Sequence, residues 1–418
     1  MANDKVMNRW LVVVGAILIQ LALGAIYAWS VFTPSLKTAG WTAAETQAVF
    51  AAGLAFFAIV MVLAGRMMPK LGPRKLAIAG GVVLGAGYAL AGLTGGTSFW
   101  PVFMLIGVVG GSGIGLAYVV PIAVGMRWFP DKKGLITGLA VAGFGFGAML
   151  WVKLAGAWGH LIETQGLSTT FIIYGAIFLG MVVLGGFWMV FPPEGWVPEG
   201  YEPPKAAAGA APAAGTVDFT SGEMLKTPQY YMILLTFAFG ASAGLMSIGL
   251  MKLFPMQALQ ASGLDQATAS GIAGTAMAIF FSLANGIGRI AWGALSDKLG
   301  RKTSIVIMMA TQGIIVIAFQ WMAGNEYMLY LAATIIGFNF GGNFSLFPTI
   351  TADTFGTKYV GQNYGWVFLA YGIGGIFGPM LGGKLGDMNS FPMAFTICGV
   401  LCLVAAGIIA AVKPASKS

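Results

Sequence analysis

One arginine stands where a charge is hardest to keep. Arg289 lies inside a long apolar run, eight residues before the turn Asp297-Lys-Leu-Gly-Arg301-Lys302. At about 1.5 Å of rise per helical residue that is roughly 12 Å inward, near the middle of a bilayer, where an uncompensated cation costs at least about 2.5–3.5 kcal/mol. A planar, permanently charged guanidinium at that depth suits the gripping of an anion that enters through water. The bland alternative is an arginine locked to the carbonyls of a neighbouring helix. Aromatic residues follow at helical spacing, Phe340 and Phe344 one turn apart and Phe368 and Tyr371 at i, i+3. Rings so spaced either pack helices together or wall a small organic ligand. No paired intramembrane carboxylates, no His/Cys cluster and no phosphate-cradling glycine loop after a strand accompany them. An enzyme is therefore not expected, nor is a cofactor or a metal.

These residues have to be held by helices in lipid. The chain has 418 residues, 58% of them hydrophobic and 9% charged, a composition foreign to soluble domains. Apolar stretches predict twelve spanning helices, over 10–33, 45–67, 74–95, 99–126, 134–158, 168–191, 229–253, 267–295, 302–323, 327–350, 359–384 and 390–412. The first is too long for a removable signal peptide and has no small-residue cleavage site, so it is expected to stay in the mature chain. Basic residues set the orientation. With both termini inside, Lys5, Arg9, Arg66, Lys70, Arg74, Lys75, Arg127, Lys132, Lys133, Lys205, Lys226, Lys298, Arg301, Lys302, Lys358, Lys413 and Lys417 fall on the cytoplasmic side. Only Lys37, Lys153, Lys252 and Lys384 lie on or toward the other side. The net charge of +8 therefore reports multi-pass topology in an inner membrane and implies no nucleic-acid partner. Cys398 and Cys402, one turn apart in the last span, read as packing residues.

Hydrophobicity collapses at 192–228 into a Pro-, Ala- and Gly-rich stretch, which predicts a cytoplasmic linker between six-helix bundles at 1–191 and 229–418. The two bundles match at a nearly constant offset. Gly65, Lys70 and Gly72 correspond to Gly293, Lys298 and Gly300 at a shift of about 228, and Pro121, Gly134 and Gly138 to Pro348, Gly361 and Gly365 at about 227. Related halves joined by a central loop are the construction of alternating-access transporters, which hold substrate near the midplane.

Gly293-Ala-Leu-Ser-Asp297-Lys-Leu-Gly-Arg301-Lys302 resembles the signature loop of the major facilitator superfamily, in which acid, base and glycine latch helix ends together. The resemblance implies that fold and a gating role for Asp297 and Arg301. The counterpart loop, Gly65 to Lys75, keeps glycines and bases but has Pro69 where the acid is expected. Within the superfamily, five segments resemble the oxalate/formate antiporter family, related to the monocarboxylate transporters. They are Gly24-Ala-Ile-Tyr-Ala-Trp-Ser-Val-Phe32, Arg127-Trp-Phe-Pro-Asp-Lys-Lys-Gly134, Ser221-Gly-Glu-Met-Leu-Lys-Thr-Pro-Gln229, Asn285-Gly-Ile-Gly-Arg289 and Asn363-Tyr-Gly365.

That resemblance implies a site. Arg289 matches the arginine that grips a substrate carboxylate, for which a planar fork gives bidentate bonds. Where the oxalate/formate exchanger has a second cation, a lysine, this chain has Tyr371; where the eukaryotic lactate carriers have a lysine and an aspartate, it has Val31 and Asn285. One cation facing the substrate balances a monoanion, whereas a dianion would leave a charge uncompensated in a low-dielectric cavity. Tyr27, Tyr118, Phe144, Phe340, Phe344, Phe368 and Tyr371 match positions that line the family's central cavity, with the hydroxyls of Tyr27 and Tyr118 available for hydrogen bonds.

Glycines crowd the fourth, fifth and eleventh spans, allowing either rocking of closely approached helices or static packing. Energy coupling is less legible: Glu45, Glu163, Asp265, Asp353 and Asp387 all fall near span ends, and His160, the single histidine, sits toward an outer end, where a lone imidazole is usually incidental to proton transfer. The expectation is a proton-coupled carrier of small monocarboxylates such as L-lactate or pyruvate, working as a monomer. Exchange of one carboxylate for another needs no titratable group and is the alternative. A sensor that binds without sustained flux is a third.

Overall fold

The computed structural model describes residues 7–155, 158–201, 217–251, 253–388 and 390–415. Lys5, Lys205, Lys252, Lys417, the side chains of Lys37 and Asp387 and the middle of the 192–228 linker lie outside the described residues. The described chain forms no strand. Its long helices are α1 (Trp10–Leu23), α2 (Ala43–Leu71), α3 (Pro73–Leu93), α4 (Phe99–Trp128), α5 (Lys133–Ala155), α6 (Leu161–Gly186), α7 (Pro228–Leu250), α8 (Gln266–Leu299), α9 (Arg301–Met322), α10 (Glu326–Phe355), α11 (Val360–Asp387) and α12 (Phe391–Ala410).

Eleven of the twelve are long and apolar enough to cross a membrane. The exception is α10, and its surroundings give the reason. Asn339, Asn343, Ser345, Thr349 and Thr351 interrupt its apolar run, and all five are buried against protein. A helix that meets little lipid does not need a lipid-like sequence.

Local punctuation follows from chain chemistry. Thr42 and Glu45 close a reciprocal capping box at the start of α2, and the side chain of Asp265 accepts from the backbone of Ala267 and Thr268 at the start of α8. Gly72 and Gly300, matched positions of the repeat, hold φ of 78° and 84° in the tight turns α2–α3 and α8–α9. A side chain there would be strained, so the signature glycines are turn residues first.

Three departures from uniform helix escaped the hydrophobic pattern. The first span leaves α-helical geometry at Leu23 and continues as a tighter 3-10 stretch, Gly24–Val31. The stretch starts at a close approach, since a Cβ on Gly24 would overlap the backbone carbonyl of Phe144. In α6 the chain breaks at Gly166, φ 74°, so its membrane part starts close to the expected residue 168. Wide π-turns occupy 103–110 in α4 and 276–281 in α8. In the second, Ser282 Oγ donates to the Met277 carbonyl five residues back at 2.9 Å.

The chain forms two compact units, Met1–Ala213 with Thr357–Trp366, and Ala214–Gly356 with Val367–Ser418. In unit 1, α3 packs along α6, α2 along α4 and α1 along α5. In unit 2, α9 packs along α12 and α8 along α10, while α11 meets α7 where Gly374 and Gly378 lie on the backbone of Ala238 and Ser242. The same pairing in both units is the structural form of the sequence repeat. Cys398 and Cys402 are buried free thiols in α12, the second lying 3.8 Å from the Phe239 carbonyl of α7.

Candidate functional site

Arg289 sits on α8 with none of its surface exposed. Its Nε donates to Asn285 Oδ1, one turn earlier, at 3.1 Å, and its guanidinium carbon stands 4.1 Å over the Phe344 ring of α10. A neutral amide and a ring face orient the cation. The Phe344 ring is T-shaped to Phe340 at 5.3 Å and packs on Tyr371 of α11 at 5.5 Å, and Tyr371 stacks on Phe368 at 5.1 Å. Unit 2 thus gathers Arg289, Asn285, Phe340, Phe344, Phe368 and Tyr371 into one contiguous cluster.

Two helices can hold this geometry only because they nearly touch. A Cβ on Gly288 would overlap the Phe338 carbonyl, and one on Gly341 would overlap the Asn285 carbonyl. These glycines bring the α8 and α10 backbones together at the residues flanking Arg289. A second polar chain ties the same helices: Trp292 Nε1 donates to Asn339 Oδ1 at 3.2 Å, and Asn339 Nδ2 donates to Thr311 Oγ1 of α9 at 3.1 Å.

The other three candidates gather in unit 1. Phe144 of α5 is T-shaped to Tyr27 at 5.1 Å and to Tyr118 of α4 at 5.4 Å. Phe57 of α2 completes the group at 4.9 Å from Tyr118. Tyr118 is buried and Tyr27 is half-buried.

At the α8–α9 turn, Asp297 pairs with Arg301 at 2.6 Å. Arg301 also reaches Asp353 of α10 at 3.0 Å and donates to Ser296 Oγ at 2.5 Å. One guanidinium thus ties the ends of α8, α9 and α10. His160, exposed and with φ 48°, meets Glu163 at 2.9 Å on the surface.

The sequence matches the family model of the Major Facilitator Superfamily over residues 10–281 and 254–418. The chain belongs to the major facilitator superfamily. It is a multi-pass membrane transporter of twelve helices in two pseudo-symmetric six-helix bundles, and members of this superfamily are transporters rather than enzymes. An uncharacterized MFS-type transporter YhjX of Escherichia coli (strain K12) is 31% identical over 375 residues, covering 88% of this chain and 86% of that protein. The oxalate:formate antiporter of Oxalobacter formigenes is 28% identical over 413 residues, covering 97% and 92%. Among solved structures, the E. coli fucose:proton symporter FucP shares the fold with a TM-score of 0.67 at 14% identity, covering 96% of this chain and 98% of that one.

Superfamily motifs did not disclose every member of these clusters. In sequence Asp353 reads only as an acid near a helix end, and its partner Arg301 lies 52 residues away. Phe57 and Phe237 were also missed, the latter 6.4 Å from Phe344 and 6.0 Å from Phe368. Their one sequence signal is an aromatic residue on an apolar helix, which does not separate wall from packing.

Proposed function

We propose that this superfamily member is a secondary active transporter of small monocarboxylates, L-lactate, pyruvate or a similar acid, coupled to protons and working by alternating access. It acts as a monomer in an inner membrane with both termini cytoplasmic. The observation that carries the proposal is Arg289, wholly buried, aimed by Asn285 and laid on Phe344 within a ring of aromatic residues. A substrate carboxylate takes a charge-assisted bond from the guanidinium, while its short carbon chain meets Phe340, Phe344, Phe368 and Tyr371. Tyr27, Tyr118 and Phe144 are assigned to the same pathway, and Asp297 with Arg301 to its gate. One cation within this cluster favours a monoanion.

Exchange of carboxylates is the second reading, favoured by the relative whose name gives oxalate and formate as its pair. Proteoliposomes of the purified protein separate the two. Labelled L-lactate accumulating under an inward proton gradient alone establishes symport; uptake only against internal carboxylate establishes exchange. Saturable binding without uptake under either condition would make the protein a sensor and overturn transport.

Selectivity set by fixed charge is testable at Tyr371. Tyr371 packs on the ring that carries Arg289, so Tyr371→Lys puts a second cation beside the first. Oxalate is expected to become an effective competitor of lactate uptake in this variant. An unchanged ranking of mono- and dianions would show that fixed charge does not set selectivity.

A further inference from the structure

Unit 1 contains a cavity of about 300 Å³ that none of the residues discussed so far explains as a substrate site. Its lining comes from three places: Gly65, Met68, Pro69 and Gly72 at the α2–α3 turn, Ala123 and Arg127 of α4 with Phe191 beyond α6, and residues 358–362 at the start of α11. The lining includes two cations, Arg127 and Lys358, and no acid. It is open where Pro69 and Lys358 are exposed.

The arginine is built in rather than draped over the surface. Arg127 Nη2 donates to the Lys358 carbonyl at 2.5 Å, and its guanidinium lies 3.8 Å over the Phe191 ring. These contacts fix the plane of the fork at the cavity wall. The neighbouring turn adds field of the same sign, since Arg66, Lys70, Arg74 and Lys75 fall between residues 66 and 75 with no acid among them. The first turn of α11, whose 28 residues place a positive dipole end here, belongs to the same lining.

The internal repeat shows what is different about this end of unit 1. In unit 2 the α8–α9 turn, which the repeat matches to the α2–α3 turn, carries the ion cluster Asp297, Arg301 and Asp353. Shifted by 228, 228 and 227 residues, those positions are Pro69, Pro73 and Met126. Neither acid has a counterpart in unit 1, and of the three matched positions Pro69 lines the cavity beside Arg127 and Lys358.

We infer that this cavity is a second anion site, specific for a phosphate group. Arg127 offers a planar fork suited to phosphate oxygens, and Lys358 a point charge at the exposed rim. Met68, Pro69, Ala123 and Val360 give the remainder of the lining an apolar character that accommodates the organic part of a phosphate ester. Two sources share that chemistry, the headgroup of an anionic phospholipid at the helix ends and a soluble phosphate ester. The site is independent of the transport reading, because its lining belongs to unit 1 and Arg289 to unit 2.

The test is a thermal-midpoint titration of the purified full chain with dihexanoyl phosphatidylglycerol, its phosphatidylcholine analogue and inorganic phosphate. Wild type, Lys358→Gln, Arg127→Gln and the exposed-lysine control Lys153→Gln are compared. Phosphatidylglycerol is expected to raise the midpoint more than phosphatidylcholine does, with apparent affinity falling about fivefold for each charge removed at the cavity and unchanged in the control. Competition by inorganic phosphate assigns the site to a soluble ester, and its failure to compete assigns the site to lipid. Arg127→Gln removes a structural bond and can unfold the protein, whereas Lys358→Gln changes a side chain at the exposed rim and leaves in place the backbone carbonyl that Arg127 bonds, which keeps the test decisive. No midpoint shift with either phosphate-bearing anion, equal shifts in wild type and Lys358→Gln, or displacement by L-lactate but not by phosphate would each overturn the inference.

Discussion

Arg289→Ala is expected to abolish carboxylate uptake, a loss of at least about thirtyfold, while leaving the protein folded and no less stable than wild type. Removing one partner of a buried charge-assisted bond costs about 2–5 kcal/mol of binding, which corresponds to roughly thirtyfold to several thousandfold. The apo protein does not need the arginine in the same way, because holding a guanidinium out of water is itself unfavourable. Function and stability should therefore move in opposite directions, as they do where a site carries strain for its ligand. Arg289→Lys sharpens the test. It keeps the charge but loses the fork that bonds Asn285 and lies on Phe344. Uptake should stay well below wild type, and a fully active lysine variant would reduce the role of Arg289 to simple electrostatics. Flux in proteoliposomes and a melting curve on the same preparation decide both points. Retained saturable uptake in the alanine variant would remove Arg289 from the substrate site.

The second large effect is expected from a residue with no side chain. Gly341→Leu puts a branched chain where even a Cβ would overlap the Asn285 carbonyl, so α8 and α10 must separate. Overpacking of a close-packed interface costs about 1–3 kcal/mol and more when backbone blocks the way. The variant should melt well below wild type or fail to assemble. Gly341→Ala is the graded form: it is expected to fold, with Arg289 displaced from the Phe344 ring and uptake reduced. Gly407→Leu is the control, since a Cβ at that position of α12 meets nothing within 4 Å. Equal thermal stability of Gly341→Leu and Gly407→Leu would show that the α8–α10 approach is not held by that glycine.

How much of this could be read from the chain depended on the range of the interaction. Helix positions came from apolar runs, and most ends fall within a few residues of their expected places because lipid imposes a length and turns impose glycine or proline. Arg289 was legible because a charge in an apolar run is conspicuous by itself. The pairs Phe340 with Phe344 and Phe368 with Tyr371 were legible as neighbours because helical spacing alone brings them together. Contacts that join distant segments left no such mark. Asp353 on Arg301, Asn339 between Trp292 and Thr311, and Phe57 on Tyr118 each depend on which helix faces which. The close packing at the start of the 3-10 stretch after Leu23 was hidden for the same reason, since Gly24 meets the backbone of Phe144 more than a hundred residues away. The low apolarity of α10 was a further signal, visible in sequence but interpretable only once its polar residues were seen to be buried against protein.

The two buried thiols of α12 have a practical bearing on all of these experiments. Cys398 and Cys402 are the whole cysteine complement of the chain, and neither has exposed surface. Thiol chemistry in water needs an accessible thiolate, which both are denied. A single cysteine introduced at an exposed position will thus be the one reactive handle on an otherwise native sequence. Fluorophores or spin probes can be attached to the working carrier directly, with no preliminary cysteine-free background to build and no doubt about whether such a background still functions.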